Sequence, residues 1–243
     1  ASGAFRIRCQ AQAGQWRFDA RFFAAQASAL DAPAQAHAQR LQPRLQQQRA
    51  AHAAWLDQPL AKAPENLWRR DVRAGSWDRL LHQALAREPK SAVLLPGLRY
   101  DSPLARGQMI TREHLISLSA SYPAPVVDVP AQQVRQVLEN GAEQLFGEPL
   151  LLDNSQDLPR WLGQPWQVTY SPGGKRVSEF AEPVGTCRTF GLGFAADAGQ
   201  PLWQHLEGWL REQPADWQLA PLQLPDVRYV QGHPGWHPRS LFS

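Results

Sequence analysis

Lysine is nearly absent: only Lys62, Lys90 and Lys175 occur in a chain whose Lys+Arg total is 25. The positive charge is therefore almost all arginine. Its planar fork of donors suits oxyanions, although an Ala/Arg/Gln-rich composition of the kind a high-GC gene produces accounts for the same count. Cysteine is as scarce. Cys9 and Cys187 stand too far apart for a CxxC redox pair or a metal knuckle, which leaves one disulfide in an oxidising compartment or two lone thiols. No apolar run approaches the roughly 20 residues that cross a bilayer, so no membrane span is expected. No basic block with interleaved aromatics occurs, which argues against nucleic acid as a partner.

The common catalytic signatures are missing too. There is no GxSxG elbow, no HExxH, no Walker loop and no Cys/His pairing in sequence context. The seven histidines are scattered; His233 and His237 are close and could hold a metal if the tail folded back on a carboxylate, but histidines flanked by prolines in a tail usually do not. Glu139 and Glu143, one helical turn apart, read as a solvated face rather than an acid/base couple. No catalytic residue is assigned.

What is present is enough for a substantial core: 243 residues accommodate one large domain, with or without a smaller appendage. Phe5–Cys9 and Trp16–Phe22 both alternate apolar and polar around Gly14, which predicts a hairpin that needs further chain to pack on. Asp31–Asp57, rich in Ala, Gln and Arg, reads as a long surface helix with Asp31 as N-cap, Pro33 just inside and a break near Pro43. Ser76 is the expected cap of a helix carrying Leu80, Leu81, Ala84 and Leu85. Val126–Val129 is extended, and Val134, Val137, Leu138, Ala142 and Leu145 mark an amphipathic helix over 131–146. Trp166–Tyr170 and Arg176–Phe180 flank a Ser-Pro-Gly-Gly turn as a second hairpin. Arg188–Phe194 reads as a buried strand, Leu202–Leu210 as a Trp-rich helix, and the tail from Pro221 as irregular.

The chain is organised around Ser91–Leu118. A short apolar run, Ala92–Leu95, delivers a turn at Pro96-Gly97 that presents Arg99 beside Tyr100. A second turn at Gly107 then leads to a helix start, where Thr111 can cap the first amides. An arginine at a strand's end, where the backbone reverses, occupies the place where α/β proteins put ligands. Arg69 and Arg70, just ahead of the Ser76 helix, can form a second wall of such an anion site.

Taken together, the order of motifs is recognisable. Leu67-Trp68-Arg69-Arg70 with Gly75-Ser76-Trp77-Asp78, Pro96-Gly97-Leu98-Arg99, Ile110-Thr111-Arg112-Glu113, Tyr122-Pro123, Leu138-Glu139-Asn140, Asp157-Leu158-Pro159-Arg160, Gly174-Lys175-Arg176, Pro201-Leu202-Trp203 and Gly232-His233-Pro234-Gly235 run collinear. In this order they resemble the C-terminal half of the SoxB thiosulfohydrolase and 5′-nucleotidase family.

The resemblance implies an α/β (α+β) fold: a 5′-nucleotidase C-terminal-like recognition domain over 61–243, with a mixed sheet and flanking helices. Residues 1–30 would be a β-hairpin like the end of a metallophosphoesterase domain, and 31–60 the linker helix. Full-length relatives carry two metal ions, manganese or zinc, on ligands in that first domain. None of those motifs is in this sequence, so the dimetal centre is expected only on a partner domain and the chain is expected to be inactive alone. The resemblance places Arg99 at the anionic end of the substrate and Arg69 or Arg70 at a second anion-binding position. It puts Tyr122 beside the cleft, and Asp157 and Arg160 on a loop facing it; Tyr100, next to Arg99 in the chain, is counted among the binding residues with them. Two departures stand out: Gly193-Phe194-Ala195-Ala196-Asp197 replaces the nucleotidase segment that supplies a base-stacking aromatic, and Ser155-Gln156-Asp157 replaces the Gly-Gly-Asp opening of the cleft loop. The implied setting is the periplasm, consistent with an opening Ala1-Ser2-Gly3-Ala4 of a processed or trimmed chain. The implied partners are a SoxYZ-like carrier or a separate metallophosphoesterase-domain chain.

Overall fold

The computed structural model describes residues 3–12, 15–24, 32–69, 74–86, 91–97, 100–119, 122–146, 159–170, 177–178, 180, 185–191, 193–222 and 226–229. The chain divides into two compact units, Ala1–Ala54 and Trp55–Ser243.

In the first unit, β1 (Gly3–Gln12) and β2 (Gln15–Ala24) pair antiparallel, with Phe5 opposite Phe22 and Gln12 opposite Gln15. This is the hairpin that the two alternating arms predict. Helix α1 (Ala32–Ala50) has no buried residue and runs through Pro43 without a break. An interior proline costs about 3 kcal/mol, but the Ala, Gln, Leu and Arg around it are strong helix formers. The interruption comes later, at Ala51-His52, before the single turn of α2 (Ala53–Leu56). Asp31, the expected cap, lies outside the described residues. His37 and His52 on this stretch are exposed.

The second unit is built on a four-stranded mixed sheet in the order β6-β10-β4-β7. Its strands are β4 (Val93–Leu95), β6 (Val126–Pro130), β7 (Arg160–Leu162) and β10 (Thr186–Phe190), with β10 parallel to β4 and the other pairs antiparallel. The two-residue period of a strand sends neighbours to opposite faces, and the core divides accordingly. Val93, Leu95, Leu162 and Phe190 face one apolar cluster with α3 (Ser76–Leu85), α4 (Arg112–Ser117) and α6 (Leu202–Arg211). Leu94, Trp161 and Cys187 face another, with Val134, Leu138 and Ala142 of α5 (Gln132–Phe146). Helices thus flank a mixed sheet on both faces, the expected α/β architecture.

Smaller pairings complete the unit. β3 (Pro59–Lys62) joins β5 (Met109–Thr111), and β8 (Gln167–Tyr170) joins β9 (Val177–Ser178) as the second expected hairpin. The tail is not irregular throughout: Asp226–Tyr229 forms β11, parallel to β8. The strand expected to reach Phe194 ends at Phe190, and Gly193 and Phe194 are exposed beyond it. Cys187 is a free, buried thiol, and burial pushes its pKa up to about 11.

One ion pair fastens the start of this unit to its helices. Arg112 donates to both carboxylate oxygens of Glu207, at 2.7 and 2.8 Å, and to the Trp55 carbonyl at 2.9 Å. Its guanidinium lies over the rings of Trp55 and Trp203, 4.7 and 5.7 Å from their centroids. The hydrogen bonds from Arg112 hold the Glu207 carboxyl down at about 2, from an ordinary 4.5. A lowered carboxylate pKa adds stability that is present above the unfolded value and disappears as pH falls through the folded one. Stability is expected to decline between pH 4.5 and 2, with about 1–2 kcal/mol of that decline traceable to this partly solvated pair. Arg112→Gln should remove that component. Chemical denaturation across the window checks it, and equal acid slopes for the two proteins would refute it.

Candidate functional site

The loop that follows β4 is held from below by charge. The N-terminal turn of α3 begins at Gly75, where a Cβ would overlap the Trp68 carbonyl oxygen, so only glycine allows the segment 66–69 to lie this close. Gly75, not Ser76, is the N-cap. The Ser76 hydroxyl is engaged elsewhere: it accepts from the Trp68 amide at 2.9 Å and donates to the Asn66 carbonyl at 2.7 Å. The first-turn carboxylate belongs to Asp78, whose Oδ2 accepts the Gly75 amide at 3.0 Å, a reach-back that suits a negative group at a helix start.

Asp78 is also the centre of a buried cation cluster. Its Oδ1 accepts from Arg69 Nε at 3.1 Å, and its Oδ2 lies 3.4 Å from Arg160 Nε. Asp78 and Arg69 are 0% exposed and Arg160 4%. Arg69 Nη1 donates to the Leu118 carbonyl at 3.0 Å, and its guanidinium sits 5.8 Å from the Phe190 ring centroid. Burial pulls the Arg69 pKa below its ordinary value, opposed by Asp78. Arg160 begins β7 opposite Leu95, the last residue of β4, so the cluster lies where β4 ends.

The chain beyond Arg99 is pinned to the same base. The Asp101 carboxylate accepts the Arg69 amide at 2.7 Å, Trp77 Nε1 donates to the Ser102 carbonyl at 3.3 Å, and Leu67 and Leu104 exchange amide bonds at 2.8 and 3.0 Å. Further on, Thr111 occupies the N-cap position of α4. Its amide and hydroxyl both reach His114 Nδ1, at 3.0 and 2.7 Å.

Of the residues singled out in the sequence, the structure brings Arg69 and Arg160 together, enclosed rather than on the wall of a cleft. Tyr100 and Tyr122 are exposed, 48% and 58%. Just past Tyr122, Ala124 is buried with φ +41°, and its carbonyl and that of Pro123 both accept the Leu202 amide. Arg70, Arg99 and Asp157 lie outside the described residues. Among the described residues no three His, Cys, Asp or Glu side chains converge as metal ligands. Asp78 and Asp101 were not anticipated. The signal for Asp78 was available, a carboxylate three residues after a glycine at a helix start. Asp101 offered none, because its partner is a backbone amide 32 positions away.

No protein-family model and no curated protein matches the sequence. Solved structures do match. One is the sulfate thiohydrolase SoxB of Thermus thermophilus in complex with glycerol, with TM-score 0.65 and 22% identity over 94% of this chain and 45% of that one. The fold is the 5′-nucleotidase C-terminal-like one. A putative 5′-nucleotidase from Staphylococcus aureus, in complex with alpha-ketoglutarate, aligns with TM-score 0.55 and 16% identity over 75% of this chain and 43% of that one. A 5′-nucleotidase precursor, also from Thermus thermophilus, gives TM-score 0.55 and 16% identity over 93% of this chain and 49% of that one. The chain thus spans under half the length of each.

Replacing Asp78 removes the shared carboxylate of two buried guanidiniums at once. Asp78→Asn, nearly isosteric, should cost about 3–5 kcal/mol, whereas Asp101→Asn, which keeps an acceptor oxygen, should cost about 1 kcal/mol. Urea unfolding of the three proteins measures both, and an Asp78→Asn loss no larger than that of Asp101→Asn would refute the hub.

Proposed function

We propose that this chain is the recognition portion of a SoxB-like hydrolase, a periplasmic domain that binds an anionic sulfur group, free or attached to a SoxYZ-like carrier. The observation that supports the reading most is the alignment of 94% of this chain with under half of SoxB. On this reading Arg99, Arg70, Tyr100, Tyr122 and Asp157 meet the ligand. Arg69 and Arg160 act beneath them: as enclosed cations they hold the end of β4 and the start of β7 in register.

On this reading the dimetal centre of manganese or zinc that the resemblance implies belongs to a partner domain; among the described residues no three His, Cys, Asp or Glu side chains converge as ligands. A second form of the same reading puts the metal centre on a separate metallophosphoesterase-domain chain, with this chain completing the enzyme.

A charge-assisted contact from Arg99 contributes about 1.5–3 kcal/mol. Arg99→Ala should therefore weaken binding of thiosulfate, or of a thiosulfonated carrier peptide, by roughly 10-fold to 100-fold in calorimetry. Unchanged affinity would remove the anion site. Metal analysis combined with a hydrolysis assay tests the other half: bound manganese or zinc with turnover by the purified chain would overturn a purely recognising role.

A further inference from the structure

The histidine in the first turn of α4 is held to one protonation state by its partner. The Thr111 amide donates to His114 Nδ1 at 3.0 Å, and the Thr111 hydroxyl lies 2.7 Å from the same nitrogen. An amide nitrogen can only donate, so Nδ1 is the bare, accepting nitrogen and the proton of the neutral ring is on Nε2. In the usual reach-back contact of this kind the third helical residue is Glu or Gln, which accepts at neutral and mildly acid pH alike. A histidine accepts there only while its ring is neutral.

Protonation would oppose this geometry twice. Nδ1 would gain a hydrogen aimed at the Thr111 amide hydrogen, and a positive ring would stand in the first turn of a helix, where the backbone amides already present their positive ends. The ring is half-buried, and burial pulls its pKa below 6.5, opposed by Glu113. The elements packed closest on α4 are β5 and α6. β5 has no charged side chain, and β3 beside it brings Lys62 opposite Met109. α6 brings His205, turned to the Ala84 carbonyl, with Glu207 and Arg211, which are paired with each other while Glu207 also holds Arg112. Glu113 on α4 itself and Asp57 on the incoming chain are exposed. The same turn fastens the start of the second unit: the Arg112 amide donates to the Gln58 carbonyl at 3.2 Å, its guanidinium donates to the Trp55 carbonyl at 2.9 Å, and Thr111 pairs with Pro59.

We propose that His114 is an acid-sensitive latch: while neutral it closes the first turn of α4 on the Trp55–Pro59 segment, and on taking up a proton it lets that turn open. The ring of the open turn titrates at the ordinary value and that of the latched turn below it. The open state therefore binds a proton that the latched state does not, and opening grows as pH falls below 6.5, by at most about tenfold per pH unit for a single proton. This onset lies above the range in which Glu207 titrates, so the Arg112–Glu207 pair is still charged when the latch releases.

Nuclear magnetic resonance on the full ¹⁵N-labelled chain tests this. The ring nitrogens of His114 should report the Nε2–H tautomer at pH 7.5. Hydrogen-exchange protection of the Thr111 and Arg112 amides, corrected for the intrinsic exchange rate, should fall several-fold between pH 7 and 5. His114→Gln keeps an acceptor that does not titrate, and in it the same amides should stay evenly protected across that range. If this variant does not fold, the parent's tautomer and its protection profile decide the matter alone. An Nδ1–H ring at pH 7.5 would overturn the latch, as would level protection in the parent or an equal fall in His114→Gln.

Discussion

A single buried carboxylate facing two guanidiniums is the interaction on which the second unit's architecture rests. Removing three charges from water is costly, and only close pairing with additional hydrogen bonds makes it tolerable. Asp78 meets that demand from the first turn of α3, where the helix's own amides favour a negative group. It accepts from Gly75 behind it, from Arg69 beside it and lies against Arg160 at the start of β7. Segments distant in sequence are thereby tied at the point where β4 ends. Asp101 extends the tie by holding the Arg69 amide, so the chain on the far side of the Arg99 turn rests on the same cluster.

Other arginines among the described residues act in a similar internal way. Arg112 is bidentate to Glu207 and stacked on two tryptophans. Arg135 reaches the Val177 and Phe180 carbonyls and lies 4.9 Å from the Phe180 ring centroid. A guanidinium that spreads its donors over carbonyls and carboxylates while offering a flat face to aromatic rings can cross-link helices and strands where a lysine would supply only a point charge. The scarcity of lysine is therefore in keeping with how the interior is assembled, whatever its origin in coding bias.

The elements that repeat a clear period were legible in the chain. The hairpin of Phe5–Phe22 follows from two alternating arms, the α5 helix from Val134, Leu138 and Ala142 at helical spacing, and the sandwiched position of β4 from three consecutive apolar residues that feed both cores. Short or tertiary features were not. β11 has four residues, gains its partner only by pairing with β8, and was hidden by flanking prolines. β10 ends with Phe190 in the core, and the chain beyond it is exposed at Gly193 and Phe194. The burial of Arg69 depends on Asp78, Leu118 and Phe190 arriving from three different elements, which no local spacing announces. The family resemblance supplied the overall arrangement of sheet and helices, and solved SoxB and 5′-nucleotidase structures share that fold.

β6 is one edge strand of the main sheet, and its free side is not left open. The Val126 amide donates to the Gln200 carbonyl at 2.9 Å, Pro125 bridges Pro201, and the chain at Gly199 lies so near the Val126 oxygen that any side chain there would collide with it. An uncovered row of amides and carbonyls is a template onto which another molecule can add a strand. Here the protein's own loop occupies the start of that row, and Pro130, without an amide hydrogen, closes its end. This edge is thus insulated against open-ended strand addition by neighbouring copies, a safeguard that matters most when such a protein is crowded.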